Sequence, residues 1–181
     1  MGKKIVIISS SIREKSNSEI LAREAERGAK GNGNAVEFIS LKNKTINFCK
    51  GCLACQNTLK CVIKDDAAEI ANSIKESDIL VFVTPIYYYE MSGQLKTLLD
   101  RCNPLYPADY KFRGIYMLTT AAEDTDEVSE TAKRGLIGWI DCFEKAEFKG
   151  LLSCVGLNEP NEATTSEKYL KLAYEFGKNL K

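Results

Sequence analysis

Strand-like and helix-like patterns alternate five times along this chain, and that alternation constrains the fold more than any other feature. Residues 5–9 form a short β-branched run headed by Lys3 and Lys4, and residues 78–84 are nearly all apolar. Short apolar runs bounded by polar residues read as strands buried on both faces. Residues 36–41, 114–120 and 151–157 supply three more. Apolar stripes at helical spacing follow in turn: Ile20, Leu21, Ala25 and Ala29; Ile70 and Ile74; Leu95, Leu98 and Leu99; Val128, Ala132, Leu136, Trp139, Ile140 and Phe143; Tyr169, Leu172, Ala173, Phe176 and Leu180. Asp66 with Glu69 predicts a capping box for the second of these helices, Ser92 caps the third, and Thr165 or Ser166 caps the last. The pattern predicts a single α/β domain over 1–181, a doubly wound five-stranded parallel sheet with helices on both faces.

Ligands of such sheets bind beyond the carboxyl ends of the strands, at the switch point. The first strand ends there in a donor-rich loop holding Ser9, Ser10, Ser11, Arg13, Ser16, Asn17 and Ser18, and a helical pattern begins at Glu19. A helix N-terminus behind such a loop favours an anion, because its first amides are unpaired and its dipole is positive. A serine-rich loop that merely caps its helix is the plainer alternative. Loops 85–92 and 119–124 should reach the same crevice. No G-x-G-x-x-G follows the first strand and no Walker P-loop is present, which excludes a dinucleotide held in its own Rossmann site. A mononucleotide suits the serine loop better. Tyr87, Tyr88 and Tyr89 crowd the third-strand loop, where a flat apolar ring or a subunit interface would explain them.

Composition removes several function classes. Twenty-five basic residues balance 25 acidic ones, so no basic field exists for nucleic acid or a membrane surface. No apolar run approaches transmembrane length, and a cytoplasmic location is expected. Seven cysteines, an odd number, argue for thiols or metal ligands over a disulfide framework. Histidine is absent, which excludes Ser-His-Asp and Cys-His catalysis and His-ligated zinc.

Three motifs carry a resemblance. The first is Ser10-Ser11-Ile12-Arg13-Glu14-Lys15-Ser16-Asn17-Ser18. The second is Pro85-Ile86-Tyr87, followed by Gly93-Gln94-Leu95-Lys96 and Asp100-Arg101. The third is a cysteine run from Cys49 that closes on Asp65-Asp66. Together they resemble the flavodoxin-like NAD(P)H-dependent FMN reductases, and within them the iron–sulfur flavoproteins. Serine stands where the family pattern has its leading glycine and its final threonine. The resemblance implies a flavodoxin-like sheet of strand order 2-1-3-4-5. It implies FMN with its phosphate on Ser11, Arg13, Ser16, Asn17 and Ser18. The ring would lie against Pro85, Ile86, Tyr87 and Tyr88, reached also by Thr119, Thr120, Ala121 and Ala122. It further implies a homodimer or homotetramer that borders the crevice.

Cys49-x2-Cys52-x2-Cys55-x5-Cys61 is the sharpest local signal. Three cysteines spaced by two residues can wrap one [4Fe–4S] cluster, and a nearby fourth completes four thiolates. Free thiols and zinc remain open beside it, though zinc more often takes two separated knuckles. Cys102, Cys142 and Cys154 are expected to be core residues. Asp124, Asp126 and Glu127 are expected at a helix N-terminus and not on a metal. The expected activity is an oxidoreductase in which FMN takes hydride from NAD(P)H and electrons pass to a small-molecule or protein acceptor. A cofactor that carries the chemistry suits a chain without histidine. The rivals are a flavodoxin-type electron carrier, which is usually strongly acidic where this chain is neutral, and a thiol redox sensor.

Overall fold

The computed structural model describes residues 2–181. Its elements are β1 (Lys4–Ser9), α1 (Asn17–Gly31), β2 (Ala35–Ser40), α2 (Ala54–Thr58), α3 (Ala67–Lys75), β3 (Ile79–Tyr87), β4 (Glu90–Met91), α4 (Gly93–Arg101), β5 (Gly114–Thr120), α5 (Glu130–Ile140), β6 (Glu147–Cys154) and α6 (Glu167–Lys178). Five strands pair in parallel in the spatial order β2-β1-β3-β5-β6. Counted among the parallel strands alone, that is the expected 2-1-3-4-5. The added strand, β4, is two residues long and folds back antiparallel on the end of β3.

Alternation along each strand divides the interior into two cores. Val6, Ile8, Leu80, Phe82, Ile115 and Met117 face Ile74, Leu95, Leu98 and Leu136, from α3, α4 and α5. Ile5, Ile7, Ile79, Val81, Val83 and Leu118 face Leu21, Ala22, Ala29 and Ala173, from α1 and α6. Side chains that flank β1 and β3 on both sides bury completely, which is why those runs are apolar without interruption. α1 and α6 meet closely: a Cβ at Gly177 would run into the backbone of Ala25.

The third strand runs over 79–87 and not 78–84, so the expected loop 85–92 is instead the end of β3 and the β4 hairpin. Other expectations change too. α1 begins two residues early, at Asn17, because Ser16 is its cap and accepts from the Glu19 amide at 3.3 Å. The Asp66 capping box does not form; the Asp66 carboxylate accepts from the Thr45 amide at 2.7 Å, and Asp65 takes the Ala67 amide at 3.2 Å. The last strand lies at 147–154 and not 151–157, since the chain leaves the sheet after Cys154 and turns at Gly156, φ +69°. The long polar loop after β2 contains the single-turn helix α2. Ser92 and Ser166 cap α4 and α6 as expected. Asp126 and Glu127 begin a 3-10 turn that leads into α5.

Candidate functional site

The carboxyl ends of β1, β3 and β5 open on one cleft of about 190 Å³. Ser11, Arg13, Ser16, Asn17 and Ser18 line it from the loop after β1. Pro85, Ile86 and Tyr87 line it from the end of β3, and Thr120, Ala121 and Ala122 from the end of β5. Asn17 and Ser18 stand in the first turn of α1, whose amides the helix cannot pair. Residues from three distant stretches of sequence therefore meet at the switch point of the sheet.

A fourth wall escaped the sequence reading. Leu157 and Asn158 line the cleft from an arch over 157–163 that follows β6. Arg13 Nη1 donates to the Asn158 carbonyl at 2.8 Å, and the Asn161 amide donates to the Lys15 carbonyl at 2.9 Å. The Asn17 side chain donates to the Glu159 carbonyl at 2.8 Å and accepts from the Ala163 amide at 3.0 Å. Both ends of its amide are thus spent on the arch, so its side chain is a brace between two loops. The available signal was the turn-rich stretch Asn158-Glu159-Pro160-Asn161, which says nothing about where the turn lands.

Two expected residues do not line the cleft. Thr119 is wholly buried, and its hydroxyl pairs with Ser129 Oγ at 2.8 Å, on the opposite face of β5 from Thr120. The Thr120 hydroxyl meets Ser18 Oγ at 2.6 Å. Tyr88 stands fully exposed at the tip of the β3–β4 hairpin. Tyr88 and Tyr89 both adopt positive φ, +50° and +65°, the conformation of a two-residue hairpin turn. Glu123, hydrogen-bonded to the Tyr89 phenol, raises its pKa. The hairpin is tied to the serine loop beneath: Ser92 Oγ donates to Ser10 Oγ at 2.8 Å, and the Ser92 amide donates to Thr84 Oγ1 at 2.9 Å.

The cysteine segment lies beside α4. Gly51, Leu53 and Leu59 take positive φ and fold the segment back on itself. Cys49 and Cys52 are exposed, Cys55 is buried on α2, and Cys61 is half-buried. Among the described residues no group of three or more Cys, His, Asp or Glu side chains is placed to hold a metal, so the four sulfurs do not converge as the spacing led one to expect. Their chemistry nevertheless fits a cluster. Asn103 Nδ2 donates to Cys55 Sγ and Arg101 Nη2 to Cys61 Sγ, each at 3.4 Å, as donors around metal thiolates do. Burial raises the pKa of Cys55, and the neighbouring sulfurs of Cys61 and Cys52 add to the rise.

Of the other cysteines, Cys102 and Cys154 are core residues, each pushed up to about 12 by burial. Cys142 is exposed, against expectation.

Fold and cleft together define a flavodoxin-like α/β domain. Solved structures of the same fold include an NAD(P)H:quinone oxidoreductase from Methanothermobacter marburgensis, at a TM-score of 0.77 and 18% identity over 99% of this chain and 97% of that one. The azoreductase AzrA superposes at 0.72 and 16% identity, over 98% of this chain and 100% of that one. The chain belongs to the NADPH-dependent FMN reductase family, whose pattern it matches over residues 3–140. An iron–sulfur flavoprotein of Methanocaldococcus jannaschii is 42% identical over 102 residues, 56% of this chain and 53% of that protein. Another, from Archaeoglobus fulgidus, is 30% identical over 139 residues, 75% of this chain and 63% of that protein. The chain thus spans between half and two thirds of the length of these curated relatives.

Proposed function

We propose that this protein is an FMN-dependent oxidoreductase that takes hydride from NAD(P)H and hands electrons to a separate acceptor. The observation that carries the reading is the meeting of Arg13, Ser11 and the α1 N-terminus with Pro85, Ile86 and Tyr87 in one cleft. FMN, when bound, supplies the hydride and electron chemistry. The residues supply the rest. Ser11, Arg13, Ser16 and the first amides of α1 would hold the phosphate, an arrangement favoured by the helix dipole. Pro85, Ile86 and Tyr87 would give the ring an apolar wall, and Thr120, Ala121 and Ala122 the facing one. Asn17 would line the cleft while its side chain braces the arch, and Thr119 sits behind the cleft, bonded to Ser129.

The four cysteines Cys49, Cys52, Cys55 and Cys61 would hold a [4Fe–4S] cluster, which would accept one electron at a time. The likeness to iron–sulfur flavoproteins and the N–H···S donors of Arg101 and Asn103 support this part of the reading. Exposed Phe48, Leu53, Leu59, Val62, Tyr87, Tyr88 and Tyr89 crowd the cysteine segment and the hairpin. That surface supports a homodimer or homotetramer bordering the cleft; a monomeric mass by light scattering at micromolar protein would refute it.

The phosphate site is tested by Arg13→Ala with Ser16→Ala. Charge-assisted hydrogen bonds are worth roughly 1.5–3 kcal/mol. The dissociation constant for FMN, followed by quenching of its fluorescence, should therefore rise roughly tenfold to a hundredfold. Circular dichroism should show the fold retained. An unchanged affinity for FMN overturns the assignment.

A further inference from the structure

Arg101, at the end of α4, is the largest fully buried side chain in the protein, 2% exposed. A cation at that depth persists only with excellent partners. Nη1 donates to the Asn47 carbonyl and to Asp65 Oδ2, both at 2.7 Å. Nη2 donates to Asp65 Oδ1 at 2.9 Å, to the Ile63 carbonyl at 3.3 Å and to Cys61 Sγ at 3.4 Å. Asp65 closes the knot by accepting from the Asn47 amide at 2.8 Å and from its side chain at 3.0 Å. Asn47 precedes the first cysteine of the segment, and Ile63 and Asp65 follow the last. One guanidinium therefore fastens both legs of the cysteine segment to α4. The other end of α4 is tied to the serine loop after β1 through Ser92 and Ser10.

An ion pair alone would need only Asp65. The further bonds, to two carbonyls and a sulfur, use the planar fork of arginine, which a lysine ammonium cannot reproduce. The bond to Cys61 also has an electronic consequence. An electron added to a thiolate-bound cluster adds negative charge that spreads onto the sulfurs, and a hydrogen-bond donor bearing positive charge stabilises it there.

We propose that Arg101 is the positioning residue of the cysteine segment, holding its two legs together, and that its bond to Cys61 raises the reduction potential of a cluster bound there. The second half rests on the cysteine-ligand reading given above. The redox step is the entry of one electron, supplied by dithionite in the test, with no bond made or broken.

The test compares wild type with Arg101→Lys and Arg101→Met, all loaded with FMN. Amide hydrogen exchange is read first, before any iron is added. Peptides from residues 47–65 should exchange roughly tenfold faster in both variants, the effect of losing bonds worth about 1.4 kcal/mol or more, while β1 and β3 keep their protection. Unchanged protection over 47–65 in both variants overturns the positioning role. The proteins are then supplied anaerobically with iron and sulfide and titrated with dithionite. The cluster potential should move negative in both variants, with the flavin potential unmoved. A cluster potential equal to wild type in both overturns the electronic role, which a merely structural residue would not have. A wild type that takes up a cluster and an Arg101→Lys variant that does not supports positioning. A wild type that binds no iron ends the cluster reading and the electronic half with it, and the exchange data still decide the positioning half. Should Arg101→Met fail to fold, Arg101→Lys, which keeps the charge beside Asp65, decides both.

Discussion

Asp65 shows how a single carboxylate anchors a segment that has little core of its own. Burial alone would raise its pKa, but hydrogen bonds from Arg101 and Asn47 outweigh that and hold the carboxyl at about 2, against an ordinary 3.8. A carboxyl depressed in the folded state stabilises fully above its unfolded value, and the contribution fades as pH falls through the folded one. The window of loss therefore runs from about pH 4 down to about pH 2. The contribution at neutral pH is on the order of 2 kcal/mol. Urea unfolding at pH 5 and at pH 2.5 should show wild type losing more stability than the paired variant Asp65→Asn/Arg101→Met, by up to that amount. Equal losses in the two proteins would show that Asp65 does not couple to pH in this way. The paired variant is the right reference because other carboxylates, among them Glu76 and Asp109, are also lowered by their lysine partners and titrate in both proteins.

At the scale of elements, the β3–β4 hairpin stands out for its strain. Two-residue turns with positive φ at both positions prefer Asn-Gly, yet here both are tyrosines. Non-glycine residues in that region cost of order 1–3 kcal/mol each, and they persist where the site needs them. Tyr88→Asn with Tyr89→Gly should stabilise the protein by about 1–2 kcal/mol and raise Tm by roughly 2–4 °C per kcal/mol. A scanning-calorimetry Tm at or below wild type would show that the turn stores no strain. The sequence reading missed β4, for a turn held open by tyrosines carries no turn signal. The buried strands β1 and β3 were plain to see, because burial on both faces leaves an unbroken apolar run. The edge strand β6 was displaced, since it is only half covered and its apolar residues continue past Cys154 into the arch. Within the cleft, Ser11, Arg13 and Pro85 through Tyr87 were legible from motif and topology. Thr119 was misplaced because neighbouring threonines on a strand face opposite sides, and spacing alone does not say which side holds the ligand. Leu157 and Asn158 depend on a tertiary closure that no local pattern announces. The cysteine spacing singles out the four residues but not the positions of their sulfurs, which the fold of the loop decides.

For the molecule as a whole, a reductase and an electron carrier can share this fold and this cleft, so access to the flavin decides between them. Hydride transfer requires a nicotinamide stacked on the ring at near-contact distance. The chain has no second nucleotide motif, so in the proposed reading NAD(P)H would stack on the flavin and on the side chains that rim it. Tyr87 and Tyr89 are half exposed and Tyr88 fully so, on a hairpin that the Ser92 bonds to Ser10 and Thr84 fix above the serine loop. Exposed aromatics on a hairpin anchored beside a cleft suit a transient planar ligand. The net charge of zero also sets this chain apart from the strongly acidic carriers. NADH or NADPH should therefore bleach the bound flavin under anaerobic conditions, within the time of a turnover assay. Tyr88→Ala should slow that reduction severalfold while changing the affinity for FMN much less, because Tyr88 stands at the rim and not in the cleft. Stopped-flow absorbance of the flavin reads the rate, and fluorescence titration reads the affinity. If dithionite reduces the flavin and neither nucleotide does, the protein is an electron carrier, and the tyrosine hairpin belongs to a partner surface.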